Sequence, residues 1–159
     1  MLFFIEIETR RIIYWNVPDA QDGIWTAQQF RNLGLLNDQL PRYLMHDRDS
    51  QFTVHADALL GDVGTQTIRL PVRSPDLNAH AERWIRTIRE DCLDHVIVLG
   101  ESHLRWVLGE FVKYYNSRRP HRSLDMRPPD GPVGGAREGE VCRRQVLGGL
   151  INDYYREAA

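Results

Sequence analysis

Residues 42–71 read RYLMHDRDSQFTVHADALLGDVGTQTIRLP. Pro41 interrupts what precedes this stretch, and RYLMH (42–46) reads as a short strand. DRDS (47–50) is polar and turn-prone. FTVHADALLGDVG (52–64) reads as a helix ending at Gly61 or Gly64, because glycine accepts the left-handed conformation that closes helices. TQTIRLP (65–71) alternates apolar and polar residues and reads as a second strand.

Upstream, LFFIEI (2–7) and RIIYWNV (11–17) are rich in β-branched and aromatic residues, and the link between them is short enough for an antiparallel hairpin. Helical spacing of Ile24, Ala27, Phe30 and Leu33 predicts a helix over 24–37 with those residues inward. Downstream, 71–77 is a loop. Ala81, Trp84/Ile85, Ile88 and Cys92 then predict an amphipathic helix over 78–94. HVIVL (95–99) is ambiguous. The helix expected over 102–118 turns Leu104, Val107, Leu108, Phe111, Val112 and Tyr115 inward. The order of elements predicts an α/β layer with a mixed sheet flanked by helices. RPPDGPVGGA (127–136) marks the end of the compact domain, giving a domain over 1–133 and a loosely docked or disordered tail over 134–159.

The chain has 159 residues, and its 42% apolar content is enough to bury a core. No apolar run is long enough to span a bilayer, and MLFFIEIETRR has no basic leader or small-residue cleavage site, so the expectation is a soluble cytoplasmic protein. Cys92 and Cys142 form no C-x-x-C pair, which argues against a zinc module or a disulfide framework. The net charge of −2 does not itself point to nucleic acid. Lys113 is the only lysine among 20 basic residues. Arginine forks suit phosphate geometry, and a biased genome gives the same excess.

Asp47 and Glu82 are the carboxylates that matter most. Asp47 follows the RYLMH strand, and Glu82 opens a helix after the next strand. In α/β sheets, function collects at the carboxyl ends of strands. Carboxylates brought together there form an oxygen cage for Mg²⁺ or Mn²⁺. Asn78, Glu82, Arg86 and Arg89 share one helical face. Taken alone, that face is better explained by surface ion pairs than by a metal site, and Asp47 and Asp49 better by turn chemistry than as ligands.

Three motifs in order change that weighting. HDRDSQF (46–52) resembles the D-x-x-S-x-F stretch that carries the second acid in catalytic cores of the retroviral-integrase superfamily. SPDLNAHAERWIRTIREDCLDH (74–95) resembles the stretch that carries the third acid, roughly P-x-x-N-x-x-x-E-R. YYNSRRPHRSLDMRPPD (114–130) resembles the family's closing Y-Y-N-x-x-R-P-H-x-x-L…P segment. FFIEIETRRIIYWNV (3–17) looks like the family's second and third strands, and TAQQFRNL (26–33) like the helix that follows, so the resemblance covers about residues 2–133.

The resemblance implies a ribonuclease-H-like fold and metal-dependent DNA strand transfer of the insertion-sequence type. Asp47 and Glu82 take the second- and third-acid places, and both become catalytic residues and ligands for Mg²⁺ or Mn²⁺. Asn78, Arg83, Arg86, Arg89, Arg118, Arg119, His121 and Arg122 become candidate DNA contacts; for the cluster at 118–122, cations complementing a helix C-terminus are an even alternative. Asp49 is expected to be a turn residue pointing away from the metal. The family's first acid and first strand have no counterpart here, so the reading is of an N-terminally truncated core. The expected partners are transposon-end and target DNA, a second copy of the chain, or a full-length transposase, with no membrane. Two alternatives stay open: an inactive remnant that only binds DNA or a partner transposase, and a metal nuclease of the same fold.

Overall fold

The computed structural model describes residues 1–18, 22–36, 40–71, 78–131 and 138–157. Parts of the loops expected at 18–23, 71–77 and 127–136 lie outside the described residues. The chain divides into two compact units, the first built from Met1–Phe3 and Tyr14–His80, the second from Phe4–Ile13 and Ala81–Ala159. An N-terminal hairpin of β1 (Leu2–Ile5) and β2 (Ile12–Asn16) contributes its outer ends to the first unit and its inner ends to the second.

The first unit is organised by β3 (Tyr43–His46), α2 (Val54–Asp62) and β4 (Gln66–Arg69). The two strands pair in parallel, Tyr43 opposite Gln66 and His46 opposite Arg69. Parallel neighbours need a crossover, and α2 supplies it. β3 alternates cleanly: Leu44 and His46 are buried, Tyr43 and Met45 exposed. Thr53 caps α2 by accepting from the Ala56 amide. Gly64, at φ +86°, turns the chain into β4 in a conformation that glycine adopts without steric cost.

α1 (Gly23–Leu36) starts at Asp22, whose Oδ1 accepts the Trp25 amide at 2.7 Å. Ala27, Phe30 and Leu33 are buried as expected, but Ile24 is 82% exposed. The buried stripe is rotated toward Thr26 and Gln29. That polar pair is tolerated because it is satisfied: Gln29 Oε1 accepts from the Tyr14 hydroxyl and from Asn16 Nδ2, both at 2.7 Å, and Thr26 Oγ1 donates to the Asp22 carbonyl.

The second unit is built on α3 (Ala79–Asp91) and α4 (Glu101–Ser117). Trp84, Ile88 and Cys92 of the α3 segment are buried, as are Val107, Leu108, Phe111, Val112 and Tyr115 of α4. Leu104 is half-buried, and Ile85, paired with Trp84 in the sequence reading, faces solvent. Trp84 sits edge-on to Tyr115 at 4.6 Å between ring centroids and 5.9 Å from Phe111. Burial, with a contribution from Asp91, pushes the Cys92 thiol up to about 11, so it packs as a small apolar residue.

Two expectations differ from the structure. The described strands form three separate two-stranded sheets, β1–β2, β3–β4 and β5–β6, and not one mixed sheet. The architecture is α/β all the same. The segment read as a loose tail contains β5 (Val141–Val146) and β6 (Ile151–Arg156), paired antiparallel from Val141 opposite Arg156 to Val146 opposite Ile151. Its composition is polar because one face of this ribbon is solvated. The other face is held by Tyr155 and Asp153, which meet Arg118 just beyond α4.

Candidate catalytic acids and nucleic-acid interface

Asp47 leaves the end of β3 and is exposed. Its Oδ1 accepts the Asp49 amide at 3.1 Å, and Asp49 Oδ1 in turn accepts the Gln51 amide at 3.2 Å and the Ser50 hydroxyl at 3.4 Å. These are two successive aspartate-capped turns. Asp49 is therefore a turn residue, and Asp47 combines a turn bond with a second oxygen that takes no hydrogen bond among the described residues.

A network anchored on the buried His46, which the sequence reading missed, fixes the strand end. His46 is buried between two acceptors: Nδ1 lies 2.6 Å from the Asp47 carbonyl and Nε2 lies 3.0 Å from Asp57 Oδ1. Arg69, opposite His46 across the parallel pair, donates to Asp57 Oδ2 from Nε at 2.8 Å and Nη2 at 2.6 Å. Phe52 stacks on the His46 ring at 4.5 Å. The signal was available in part: His46 occupies the inward phase of β3 behind Leu44. Asp57, however, reaches it from a helix, a contact that no local spacing announces.

Glu82 lies in the first turn of α3, where the helix N-terminus favours a negative charge. Glu82, Arg83 and Arg86 are exposed and make no ion pair among the described residues. Arg89 Nε lies 3.9 Å from Asp94 Oδ1, with both side chains more than half exposed, a contact worth little. Glu82, Ile85, Arg86, Arg89, Glu90 and Asp94 line an open cleft of about 400 Å³. Asn78 sits half-buried just before the helix. This polar face lies opposite the Trp84–Ile88–Cys92 stripe, so packing of one aims the other at solvent.

The closing segment is largely structural. Asn116 spans Ile12, accepting from its amide and donating to its carbonyl, each at 2.9 Å. Arg119 donates to Asp91 Oδ2 from Nε at 3.2 Å and Nη2 at 3.0 Å and lies over the Tyr115 ring. Arg118 approaches Asp153 Oδ2 at 3.8 Å. His121 packs edge-on to Tyr115 at 4.7 Å. Arg122 is exposed. Of the four candidates here, two are occupied in ion pairs and one is packed in the fold.

Burial and the neighbouring Arg119 charge lower His121 to about 4. Folding thus favours the neutral ring. Its contribution is complete above the ordinary histidine range near 6.5 and is lost as pH falls toward about 4. Urea titrations between those limits are expected to show falling stability, and His121→Phe is expected to flatten that dependence. An unchanged slope in the variant would assign the effect to other groups.

Asp47 belongs to the first unit and Glu82 to the second, and each is defined within its own unit. Among the described residues, no group of three or more His, Cys, Asp or Glu side chains is placed to hold a metal. The donor chemistry of the two acids nonetheless suits a hard divalent cation, since Asp47 keeps one carboxylate oxygen free of the turn and Glu82 keeps both. No helix among the described residues is long and apolar enough to cross a membrane.

Comparison with known proteins fits this arrangement. Residues 63–129, spanning β4, α3 and α4 through the closing segment, match the integrase core domain family. Over those residues the chain resembles an integrase or transposase catalytic core. Over 90 residues the chain is 29% identical to an insertion element IS476 uncharacterized 39.2 kDa protein of Xanthomonas euvesicatoria. That match covers 56% of this chain and 26% of the relative, so the chain corresponds to a minor part of the relative's length.

Proposed function

We propose that the chain is catalytic-core sequence of an insertion-sequence transposase, acting on DNA through Asp47, Glu82 and the arginine face of α3. The observation that carries this reading is the α3 cleft, where an exposed Glu82, in no ion pair among the described residues, stands beside Arg86 and Arg89 within the integrase-matching residues. A ribonuclease-H-like assembly of the α/β elements is part of the proposal. Asp47 and Glu82 would hold Mg²⁺ or Mn²⁺. Bound there, the ion would neutralise charge on the reacting phosphate and template its oxygens. The chain's own residues do the rest: Arg83, Arg86 and Arg89 pair with backbone phosphates, Asn78 adds a polar contact to DNA before the helix, and Arg122 extends the contact. Arg118, Arg119 and His121 act mainly by holding this surface in place.

Phosphate contacts release counterions, so affinity for a labelled 20-base-pair duplex is expected to fall steeply with salt. The net charge of −2 opposes binding, and Mg²⁺ is expected to raise affinity beyond what equal ionic strength of monovalent salt does. Arg86→Ala with Arg89→Ala is expected to weaken binding by about thirtyfold or more, since two lost contacts to a charged group at about 1 kcal/mol or more each sum to about 2 kcal/mol or more. With Mn²⁺ and transposon-end duplex the isolated chain is expected to give no joined product, because two carboxylates hold the ion loosely. Binding that ignores salt, metal and the arginine changes would refute the reading.

A further inference from the structure

Among the described residues, one face of the β5–β6 ribbon is left exposed. The register places Cys142 with Tyr155, Arg144 with Asp153 and Val146 with Ile151 on the packed face. There Asp153 meets Arg118, and Tyr155 lies under both Arg118 at 6.0 Å and Arg144 at 4.8 Å. Side chains alternate along a strand, so Val141 with Arg156, Arg143 with Tyr154 and Gln145 with Asn152 form the opposite face. All six are exposed, Tyr154 by 65%.

No carboxylate stands among those six residues, although the chain as a whole carries 22 acids against 20 bases. Asp153, the acid within β6, lies on the packed face opposite Arg144, and Glu157, just beyond β6, has its Oε2 3.8 Å from Cys142 Sγ of that same face. Arg156 Nη1 donates to the Gly139 carbonyl at 2.8 Å, which leaves the rest of its donor fork available.

We propose that this face is a duplex-DNA reader that lies in the major groove. A two-stranded ribbon fits a groove about 12 Å wide. Rows of the face repeat about every 6.7 Å along each strand, close to two base-pair steps of about 3.4 Å, so its three rows span roughly four base pairs. The side chains match base edges: Arg143 and Arg156 present bidentate donors for guanine, Gln145 and Asn152 for adenine, and Val141 offers methyl groups to thymine. Tyr154 donates its hydroxyl to a flanking phosphate. The inference rests on the chain's action on DNA and goes beyond it, because the α3 arginines supply phosphate affinity while this ribbon supplies base preference.

The test uses the full chain and 20-base-pair duplexes carrying a randomised central stretch. Selection is expected to enrich a preferred segment of about four base pairs. Arg143→Ala with Arg156→Ala is expected to weaken binding to the enriched duplex about thirtyfold or more, with much less effect on the unselected pool. Gln145→Ala with Asn152→Ala is expected to erase preference at adenine positions and leave pool affinity within about twofold. Arg143→Lys with Arg156→Lys keeps the charge without the fork, and is expected to retain pool affinity but lose the guanine preference. Thermal melting checks each variant, and unchanged melting is expected because all these positions are exposed. Equal losses on enriched and unselected duplexes would mean phosphate contact only and would overturn groove reading. Duplex binding that depends on Arg86 and Arg89 but ignores every ribbon change would overturn this inference alone. No duplex binding by the unmodified chain would overturn the DNA reading as well.

Discussion

Trp84→Ala is expected to cost the second unit about 3–5 kcal/mol, the usual range for deleting a buried large aromatic side chain. Trp84 is 1% exposed and lies edge-on to Tyr115 and tilted against Phe111, so its removal empties the contact between α3 and α4. A loss of this size is comparable with the total stability of many small domains. Urea unfolding followed by circular dichroism should show a lower midpoint. Trp84→Phe, which keeps an aromatic ring, should recover most of the loss. Because α3 carries Glu82, Arg86 and Arg89, duplex affinity should fall along with stability in Trp84→Ala. A loss below about 1 kcal/mol would mean that the helix is anchored elsewhere.

Asn116→Leu is expected to destabilise the same unit by about 2–6 kcal/mol, because it strands both the amide and the carbonyl of Ile12 in a buried setting, each at about 1–3 kcal/mol. Asn116 is buried, and both bonds to Ile12 are 2.9 Å long. The asparagine amide is suited to this place because it accepts and donates at once. Asn116→Asp separates the two bonds. The carboxylate can accept from the Ile12 amide but cannot donate to its carbonyl, and protonation restores the donor. The variant should therefore gain stability relative to Asn116→Leu as pH falls through the carboxylate range. If the two variants behave alike at every pH, the two bonds to Ile12 do not account for the loss.

Asn116 also shows why the closing motif is hard to read from its letters. YYNSRRPHRSLDMRPPD looks like a cluster of cations after a helix. In the fold, Arg119 is paired with Asp91, His121 is packed on Tyr115, and Pro128 and Pro129 are buried. Charge in a sequence reports only that a charge is present. Whether it is free or spent depends on partners such as Asp91, 28 residues away.

Local pattern was enough to place the helices and most strands. The Trp84–Ile88–Cys92 stripe, the alternation in β3 and the glycine turn before β4 are written in spacings of two, four and one residues, which local steric and hydrophobic rules govern. The ordered motifs around Asp47 and Glu82 likewise carry the resemblance to integrase cores in the letters alone, and residues 63–129 match that family. The parallel pairing of β3 with β4, the rotation of α1 that buries Gln29 and exposes Ile24, the His46–Asp57–Arg69 network and the meeting of Asp153 and Tyr155 with Arg118 came only from the tertiary structure. Each depends on groups distant in sequence satisfying one another's hydrogen bonds, and burial rewards such pairs only once the chain has closed the loops between them.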